Sequence, residues 1–237
     1  MKTLRVGAAF PDPPFNGMKG RNGGLDIDLM TAIAESLGAT VEFVPYDGTD
    51  FNGIFDALGS AYDCVAAGTT VTPDRETKAQ FVPPYLISGQ SLAVDTTRLP
   101  DVKSIDDLAS LTIGVQQGNT SQPIADELVV QGKAANVRVY DNDNIRTALT
   151  DLTTGGCDAF MKLAPVLTEL ARPVTGVEVV QRNLSRESIA IAVAHGADAM
   201  LRRIATAQAE LEDDGTLQAI RRKWLGNPYL DQSLAAH

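Results

Sequence analysis

"IFDALGSAYDCVAAG", residues 54–68, recurs in outline as "IRTALTDLTTGGCDAFM", residues 145–161. Each stretch contains the pattern of a helix, a turn with glycine, an aspartate and a short apolar strand. In the first stretch Ile54, Ala57 and Leu58 fall on one face of the predicted helix. The recurrence predicts an α/β protein with two lobes of related topology, each built on a mainly parallel sheet flanked by helices.

The segments around these two stretches continue the alternation of strands and helices. Asp26 is predicted to cap a helix that ends at Gly38. The remaining predicted strands are LRVGAAF (4–10), TVEFVPY (40–46), TIGVQQG (112–118) and NVRVYD (136–141). The remaining predicted helices are PDRETKAQF (73–81), SIDDLASL (104–111), TSQPIADELVVQG (120–132), ADAMLRRIATAQAELEDDG (197–215) and TLQAIRRKWLG (216–226).

Only two stretches can connect the lobes, namely LISGQSLAV (86–94) on the way out and ESIAIAV (187–193) on the way back. A chain that crosses twice leaves a cleft outside the carboxyl ends of the sheet strands, where open α/β folds bind ligands. We therefore predict a discontinuous first lobe, a continuous second lobe and two hinge strands. The predicted bounds are about 1–90 and 190–237 for lobe one, 93–184 for lobe two, and 87–94 and 187–193 for the hinge strands.

The composition of the chain limits its partners. Its 237 residues are 44% hydrophobic and carry a formal net charge of −10, which argues against nucleic acid and anionic membranes as principal partners. No apolar run approaches the roughly 20 residues of a membrane span, and no signal-peptide pattern is present, so the sequence says little about the compartment. We expect Cys64 and Cys157 to be separate buried thiols rather than a disulfide.

The stretch "GTTVTPDR", residues 68–75, has the chemistry of an anion site. The planar fork of Arg75 suits a carboxylate better than the point charge of a lysine does. Gly68 permits close approach of the backbone, and the start of the helix at residue 73 directs N–H groups towards an anion. The stretch therefore predicts one half of a carboxylate clamp. The alternative is that Arg75 is a surface residue paired with a neighbouring acid.

Five stretches together resemble one family, the extracytoplasmic solute-binding proteins for polar amino acids (bacterial solute-binding protein family 3). They are LRVGAAFPDPPF (4–15), GLDIDLMTAIAESLG (24–38), residues 51–89, SIDDLASLTIGVQQGNTS (104–121) and DGTLQAIRRKWLG (214–226). The resemblance implies a type II periplasmic-binding-protein-like fold whose two lobes close on the ligand. It also implies an extracytoplasmic binding component of an ABC importer, either periplasmic or a cell-surface lipoprotein. We expect a monomer whose partners are a small carboxylate ligand and a membrane permease.

The resemblance also assigns roles to residues. In the family, the arginine that matches Arg75 holds the α-carboxylate of the ligand in a bidentate fork. Further contacts are implied for the backbone of Gly68 and Thr70, the Thr70 hydroxyl, the Phe51 ring as a wall, and the turn at Asn119 and Thr120 in the second lobe.

The second lobe departs from the family in "DAFMKLAPV", residues 158–166. Where relatives place an aspartate for the α-ammonium of an amino acid, this chain has Leu163, and Lys162 precedes it. An unpaired buried ammonium costs several kcal/mol, so we expect a ligand without an α-ammonium, such as a keto, hydroxy or dicarboxylic acid. The alternative is that Lys162 points to solvent and that Asp12 accepts an ammonium. Asp12 can equally be a turn residue, and Gln116 is a candidate for the distal end of the ligand.

The competing functions are an enzyme and a sensor domain on the same fold. Cyclohexadienyl dehydratases resemble this family, but they need a carboxylic acid to protonate a leaving hydroxyl, and residues 162–166 contain none. The chain also lacks a nucleophile elbow, a phosphate loop and a zinc-protease motif, and two histidines cannot form a metal site by themselves. We therefore predict a binding protein with no catalytic residue, metal or cofactor.

Overall fold

The computed structural model describes residues 3–17 and 23–226, which form two compact units. Among the described residues, the first unit contains those up to Asp47, then Gly53–Ile87, and those from Glu187 to Gly226. The second unit contains Gly48–Asn52 and Ser88–Arg186. The segment Gly48–Asn52 therefore packs with the second unit, whereas the sequence-based division placed it in the first lobe.

Strands and helices alternate along both units. The strands are β1 (Thr3–Ala9), β2 (Thr40–Tyr46), β3 (Cys64–Val65), β4 (Gln80–Phe81), β5 (Leu86–Ser88), β6 (Gln90–Asp95), β7 (Thr112–Gln116), β8 (Asn136–Tyr140), β9 (Ala159–Leu163), β10 (Val177–Gln181), β11 (Glu187–Ile189) and β12 (Ala192–Val193). The α-helices are α1 (Leu25–Ser36), α2 (Pro73–Glu76), α3 (Ser121–Val130), α4 (Ile145–Thr154), α5 (Ala164–Ala171), α6 (Asp198–Asp213) and α7 (Thr216–Leu225).

Each unit has a five-stranded sheet with one reversed strand. In the first sheet, of order β2-β1-β3-β12-β4, β1 pairs in parallel with β2 and β3, and β12 runs antiparallel to β3 and β4. In the second sheet, of order β10-β6-β9-β7-β8, β7 pairs in parallel with β8 and β9, and β6 runs antiparallel to β9 and β10. Four strands of each sheet thus share one direction, which confirms the predicted α/β class. Strands β5 and β11 form a separate two-stranded sheet.

Several elements differ from the sequence-based prediction. Residues 51–57 and 105–107 form 3₁₀-helices rather than α-helices, and α2 is only four residues long. Strand β10 and helix α5 were not predicted. The predicted strand 86–94 is divided at Gly89, where a Cβ would lie 2.0 Å from the carbonyl oxygen of Ser185, so the backbone there has no room for a side chain.

The predicted capping role of Asp26 is wrong. The N-cap of α1 is Gly24, which makes no side-chain capping bond, and Asp26 is a fully buried residue of the first helical turn. Its carboxylate turns into the unit instead of bonding to the helix end.

The sheet of the second unit is packed on both faces because alternate residues of its strands point in opposite directions. Leu92, Val94 and Met161 lie in the core on one face, and Ala93 and Phe160 lie in the core on the other. Each fully buried large apolar side chain contributes about 1.5–3 kcal/mol to stability. Cys64 and Cys157 are buried, free thiols, as predicted. Within the described residues, no helix is both long enough and apolar enough to cross a membrane.

Candidate functional site

Thr70 lies opposite Ile189 of strand β11 in an antiparallel, non-hydrogen-bonded pair. In such a pair the residues on either side form the backbone hydrogen bonds between the strands, so the N–H and carbonyl groups of Thr70 point away from β11. The carbonyl accepts a hydrogen bond from Nη1 of Arg75 at 2.9 Å. The Thr70 N–H lies on the same side of the strand as its carbonyl, and therefore on the side of the guanidinium. The ladder bonds run from Val71 N to Ser188 O (2.8 Å) and from Ala190 N to Thr69 O (2.9 Å).

Arg75 is only 5% exposed, which excludes the alternative of a surface arginine. Its guanidinium lies 5.9 Å from the centre of the Phe55 ring, within the range of a cation–π contact. The N–H of Arg75 donates to the Thr72 hydroxyl at 3.2 Å, so that helical N–H is engaged by the protein. The Arg75 N–H, which the sequence analysis expected to be directed towards an anion, is therefore bonded to Thr72 instead.

Gly68 is held by two buried side chains. Its backbone has φ +55°, and a Cβ would lie 2.8 Å from the ring of Phe15, so only glycine fits here without a shift. Its N–H donates to Oδ2 of Asp26 at 2.7 Å, and the Tyr85 hydroxyl donates to Oδ1 of Asp26 at 2.5 Å. A ligand cannot use the Gly68 N–H without displacing Asp26.

Burial dominates the electrostatics of Asp26, which is 0% exposed. Desolvation raises the pKa of this carboxyl to about 7, although the hydrogen bonds from Tyr85 and Gly68 act in the opposite direction. The negative charge of Asp12 raises it further. Burial also raises the pKa of Tyr85 well above its ordinary value, so the phenol keeps its proton and donates it to Asp26.

Glu187, the first residue of β11, is a buried acid that the sequence analysis did not identify as a site residue. It is 6% exposed, and its Oε2 accepts a hydrogen bond from the Thr70 hydroxyl at 2.6 Å. The Thr70 proton, which the resemblance assigned to a ligand carboxylate, is directed to Glu187. The one sequence signal was an acid at the start of the apolar run ESIAIAV.

Asp12 forms a tight turn in the first unit. Its N–H donates to the carbonyl of Asn16 at 2.9 Å, and its own carbonyl accepts from the N–H groups of Phe15 and Asn16. Asp12 is therefore a turn residue, which was one of its two predicted roles. The half-buried carboxylate is close enough to Asp26 to influence its pKa.

Lys162 occupies the carboxyl end of β9 in the second unit. It is 5% exposed, and its ammonium donates to Oε1 of Gln116 at 2.7 Å and to Oδ1 of Asn119 at 3.3 Å. The burial excludes the alternative in which this lysine points to solvent. Because β7 and β9 are parallel neighbours, Gln116 and Lys162 end their strands side by side.

Asn142 orients both of these amides. Its carbonyl accepts from Nε2 of Gln116 at 2.6 Å, and its Oδ1 accepts from Nδ2 of Asn119 at 3.4 Å. Each amide therefore directs its oxygen towards the Lys162 ammonium. The N–H of Asn142 donates to the carbonyl of Thr49 at 2.6 Å, which ties this group to the segment Gly48–Asn52.

The remaining candidates also lie in the second unit. The Thr120 hydroxyl, at the start of α3, accepts from Nε2 of Gln90 at 3.0 Å. Leu163 is 7% exposed and pairs with Gln90 in the β6–β9 ladder. Phe51 is buried, and its N–H donates to the carbonyl of Gln117 at 3.2 Å. The candidates therefore divide between the two units. Gly68, Thr70, Arg75 and Asp12 lie in the first unit, and the others lie in the second.

Comparison with known proteins gives matches along nearly the whole chain. The family model for bacterial extracellular solute-binding proteins, family 3, matches residues 4–227. The L-cystine-binding protein TcyJ of Escherichia coli (strain K12) is 30% identical over 228 residues, which cover 94% of this chain and 83% of that protein. The structure of an ancestral arginine-binding protein bound to arginine superposes with a TM-score of 0.84 at 36% identity, and the match covers 95% of this chain and 99% of that one.

A further solved structure bears on the enzyme alternative. An ancestral amino acid-binding protein, a precursor of cyclohexadienyl dehydratase, matches with a TM-score of 0.81 at 32% identity over 94% of each chain. Like the other two, it is a binding protein. All three are named for amino acids, which does not support the expectation of a ligand without an α-ammonium. Sequence, fold and relatives agree that this chain is a solute-binding protein rather than an enzyme, and that it belongs to the bacterial extracellular solute-binding proteins of family 3.

Proposed function

We propose that this protein captures a small carboxylate-bearing solute for an ABC importer and that Arg75 holds the carboxylate. The observation that carries the proposal is the convergence of the buried Arg75 guanidinium and the Thr70 N–H on one side of the same backbone segment. A planar fork beside a backbone N–H matches the two oxygens of a carboxylate. The local cation decides the preference even though the net charge of the chain is −10.

The proposal includes two lobes that close on the ligand, with hinges in the strands near residues 87–94 and 187–193. Family membership supports this part, as do the separate compact units that each hold one group of candidates. The partner is then a membrane permease that receives the closed, loaded form, and the protein acts outside the cytoplasmic membrane as a monomer. Asn119, Thr120 and Phe51 are the second-unit residues proposed to contact the carboxylate or cover the ligand.

For the other end of the ligand we propose an acceptor group at Lys162. Neutral amide oxygens of Gln116 and Asn119 orient this ammonium without contributing charge. A carboxylate, keto or hydroxyl oxygen of the ligand can accept a hydrogen bond from this ammonium. Leu163, an apolar side chain beside it, offers nothing to an ammonium.

The proposal has two forms that differ in the α-amino group. Leu163 and Lys162 favour a ligand without that group, such as a keto, hydroxy or dicarboxylic acid. The relatives favour the other form, since they are named for cystine and arginine. That form requires an ammonium acceptor other than position 163, and Asp12 is one candidate.

A thermal-shift screen tests the proposal and separates its forms. The panel contains the proteinogenic amino acids and L-cystine on one side and mono- and dicarboxylic acids on the other. A bound compound raises the melting temperature by mass action. We expect at least one compound of the panel to give a shift, and its side of the panel separates the two forms. We expect Arg75→Ala to remove that shift, while the matched control Arg202→Ala, at an exposed arginine on α6, keeps it. A shift of wild-type size in Arg75→Ala would refute the clamp.

A further inference from the structure

Helices α6 and α7 share a buried ion pair outside the stretches that hold the candidate residues. Nη1 and Nη2 of Arg221 on α7 donate to the two carboxylate oxygens of Glu212 on α6, at 2.9 and 2.7 Å. Arg221 is 1% exposed and Glu212 is 7% exposed. The desolvation of a buried ion pair largely cancels its attraction, so such a pair adds little to stability. The pair is therefore better explained by the groups that it positions.

Arg221 also holds the backbone of Tyr85, the residue immediately before β5. Its Nε donates to the Tyr85 carbonyl at 2.8 Å. The Tyr85 N–H donates to the carbonyl of Ile189 in β11 at 3.0 Å. In the same segment the Pro83 carbonyl accepts from Nε2 of Gln208 on α6 at 2.8 Å. The backbone of Tyr85 is therefore fixed at its N–H by β11 and at its carbonyl by α7.

The Tyr85 side chain connects this backbone to the candidate site. Its hydroxyl donates to Oδ1 of Asp26 at 2.5 Å, and Oδ2 of Asp26 accepts from the Gly68 N–H at 2.7 Å. Tyr85 and Asp26 are both 0% exposed, so bulk water does not compete for the bond between them. A continuous series of hydrogen bonds therefore runs from the ion pair to Gly68.

Gly68 lies at the start of the segment that carries the Arg75 fork. It has no side chain of its own to hold its backbone, so the bond from its N–H to Asp26 restricts its position. Two residues later the Thr70 carbonyl accepts the hydrogen bond from Nη1 of Arg75 at 2.9 Å. A displacement of Gly68 would therefore shift the Thr70 carbonyl and with it the Arg75 fork.

We propose that the Glu212–Arg221 pair positions the carboxylate clamp, acting through the hydrogen bonds of Tyr85 and Asp26 on the Gly68 N–H. This inference rests on the proposed clamp, since a shift of Gly68 matters for binding only if the fork on the same segment holds the ligand. Both members of the pair would then affect binding without contacting the ligand. Neither was a candidate in the sequence analysis, because the bond from Arg221 to Tyr85 joins positions 136 apart.

The test removes both charges of the pair together. Glu212→Met combined with Arg221→Met leaves no unpaired charge of this pair in the interior, and replacing a buried ion pair by apolar residues is often neutral for stability. The Tyr85 carbonyl nevertheless loses its donor in this double variant. A change in binding can therefore be separated from a loss of the fold, which the melting temperature without ligand reports.

Two measurements follow the effect at pH 8, where the Asp26 carboxyl, with its pKa of about 7, is mostly ionised. The first is the amide proton resonance of Gly68 in the ligand-free protein, which a hydrogen bond to a carboxylate shifts downfield. We expect it to move upfield in the double variant. The second is calorimetric titration with L-arginine, L-cystine or glutarate, whichever raises the wild-type melting temperature most. We expect the affinity for this probe to fall about tenfold.

A double-mutant cycle tests the path through Tyr85. Tyr85→Phe deletes the hydroxyl that reaches Asp26, and by itself it should weaken binding of the same probe about tenfold. If Arg221 acts through this hydroxyl, adding the two Met substitutions to Tyr85→Phe should lower the affinity by about twofold or less. The control Ile204→Ala removes a buried apolar side chain from α6. It should lower the melting temperature but leave the Gly68 resonance and the affinity at wild-type values.

If the double variant does not fold, Arg221→Lys replaces it. This variant keeps a positive charge beside Glu212 but lacks the fork that bonds to the carboxylate and to the Tyr85 carbonyl together. The affinity for the probe should then fall about threefold.

A wild-type Gly68 resonance or a wild-type affinity in the folded double variant, or in Arg221→Lys if the double variant does not fold, would overturn the proposal. A full further loss in the Tyr85→Phe background, or an equal loss of affinity in Ile204→Ala, would also overturn it.

The clamp itself is tested separately by Arg75→Ala. If Arg75→Ala abolishes binding of the probe while the double variant binds normally, the clamp stands and only the positioning role of the ion pair fails. If Arg75→Ala binds like the wild type, or if no compound of the panel binds, the proposed function fails, and the expected effect on affinity fails with it.

Discussion

The two units place different cations at comparable positions. In the first unit the Arg75 guanidinium lies near the Phe55 ring and donates to the Thr70 carbonyl, on a segment that follows a central strand. In the second unit Lys162 ends a central strand and reaches two amide oxygens through its flexible stem. A fixed fork suits a group that every ligand shares, and a mobile ammonium suits a group that varies between ligands.

The supporting residues differ in the same way. Buried carboxylates of Asp26 and Glu187 hold the Gly68–Thr70 segment, whereas neutral amides of Gln116 and Asn119 orient Lys162. The Arg75 guanidinium is planar and rigid, whereas the Lys162 ammonium lies at the end of a flexible stem. The first unit is therefore expected to hold its cation more rigidly, and its variants are expected to have the larger effects.

The largest expected effect is the change with pH in the free energy of unfolding that the Asp26 carboxyl causes. Its pKa rises from the ordinary 3.8 to about 7 on folding. Below pH 3.8 this carboxyl is protonated in both the folded and the unfolded protein. Between pH 3.8 and about pH 7 only the folded protein keeps the proton, so the free energy of unfolding falls by about 1.4 kcal/mol per pH unit. Asp26→Asn cannot ionise, and its amide can still accept from Gly68 and donate to the Tyr85 oxygen.

We therefore expect the stability of Asp26→Asn relative to wild type to increase by roughly 4 kcal/mol between pH 4 and pH 8. Urea unfolding of both proteins across this range measures the difference, and the other titrating groups cancel in it. A difference that stays constant with pH would show that Asp26 is ionised in the folded protein throughout.

The second prediction contrasts glycines in the two units. Gly68 and Gly132 both have positive φ, but a Cβ would meet the Phe15 ring only at Gly68, and nothing lies within 4 Å at Gly132. Gly68→Ala should destabilise by about 3 kcal/mol, from backbone strain and overpacking, and Gly132→Ala by about 1 kcal/mol, from strain alone. Equal losses in urea unfolding would mean that Phe15 moves aside without cost.

The sequence grouped only those candidate residues that are local in the chain. Gly68, Thr70 and Arg75 share one short stretch, and in the structure Arg75 bonds to the Thr70 carbonyl. Glu187 could not be assigned, because its contact with Thr70 joins residues 117 positions apart. Asp26 was predicted as a helix cap because local propensity was the only guide, whereas its partner Gly68 is 42 positions away.

The fold shows the same limit. The recurrence of a helix, turn and strand predicted two related α/β units, since periodicity is a local property. The reversed strands β6 and β12 follow from pairings between distant segments, and β10 is an edge strand with a weak apolar pattern. Segment Gly48–Asn52 belongs to the second unit and forms backbone hydrogen bonds there, such as the one from Asn142 N–H to the Thr49 carbonyl. No local sequence pattern predicts such a bond.

The third prediction tests the fork. Arg75→Lys keeps the charge but loses the planar, bidentate geometry, so we expect ligand affinity to fall about 100-fold. The reciprocal change, Lys162→Arg, keeps a cation at a site where a single contact suffices, and we expect a change of about threefold or less. Calorimetric titration with the compound that gives the largest thermal shift measures both. Equal losses of affinity in the two variants would show that Arg75 and Lys162 bind the ligand in the same way, and the proposed difference between the units would be wrong.

The smallest effect is expected for removal of the second cation. Lys162→Met keeps most of the apolar stem and deletes the ammonium, so Gln116 and Asn119 lose a donor that water can replace. We expect affinity for ligands with an acceptor group at the distal end to fall about tenfold, and affinity for ligands with an apolar end to change by about twofold or less. The matched control is Lys133→Met, which removes an exposed ammonium from the same unit and should leave both affinities at wild-type values. Because Lys162 acts on one end of the ligand only, the loss must depend on that end. A uniform loss across all ligands would mean instead that Lys162 supports the binding surface as a whole, and the proposed difference between the two units would be wrong.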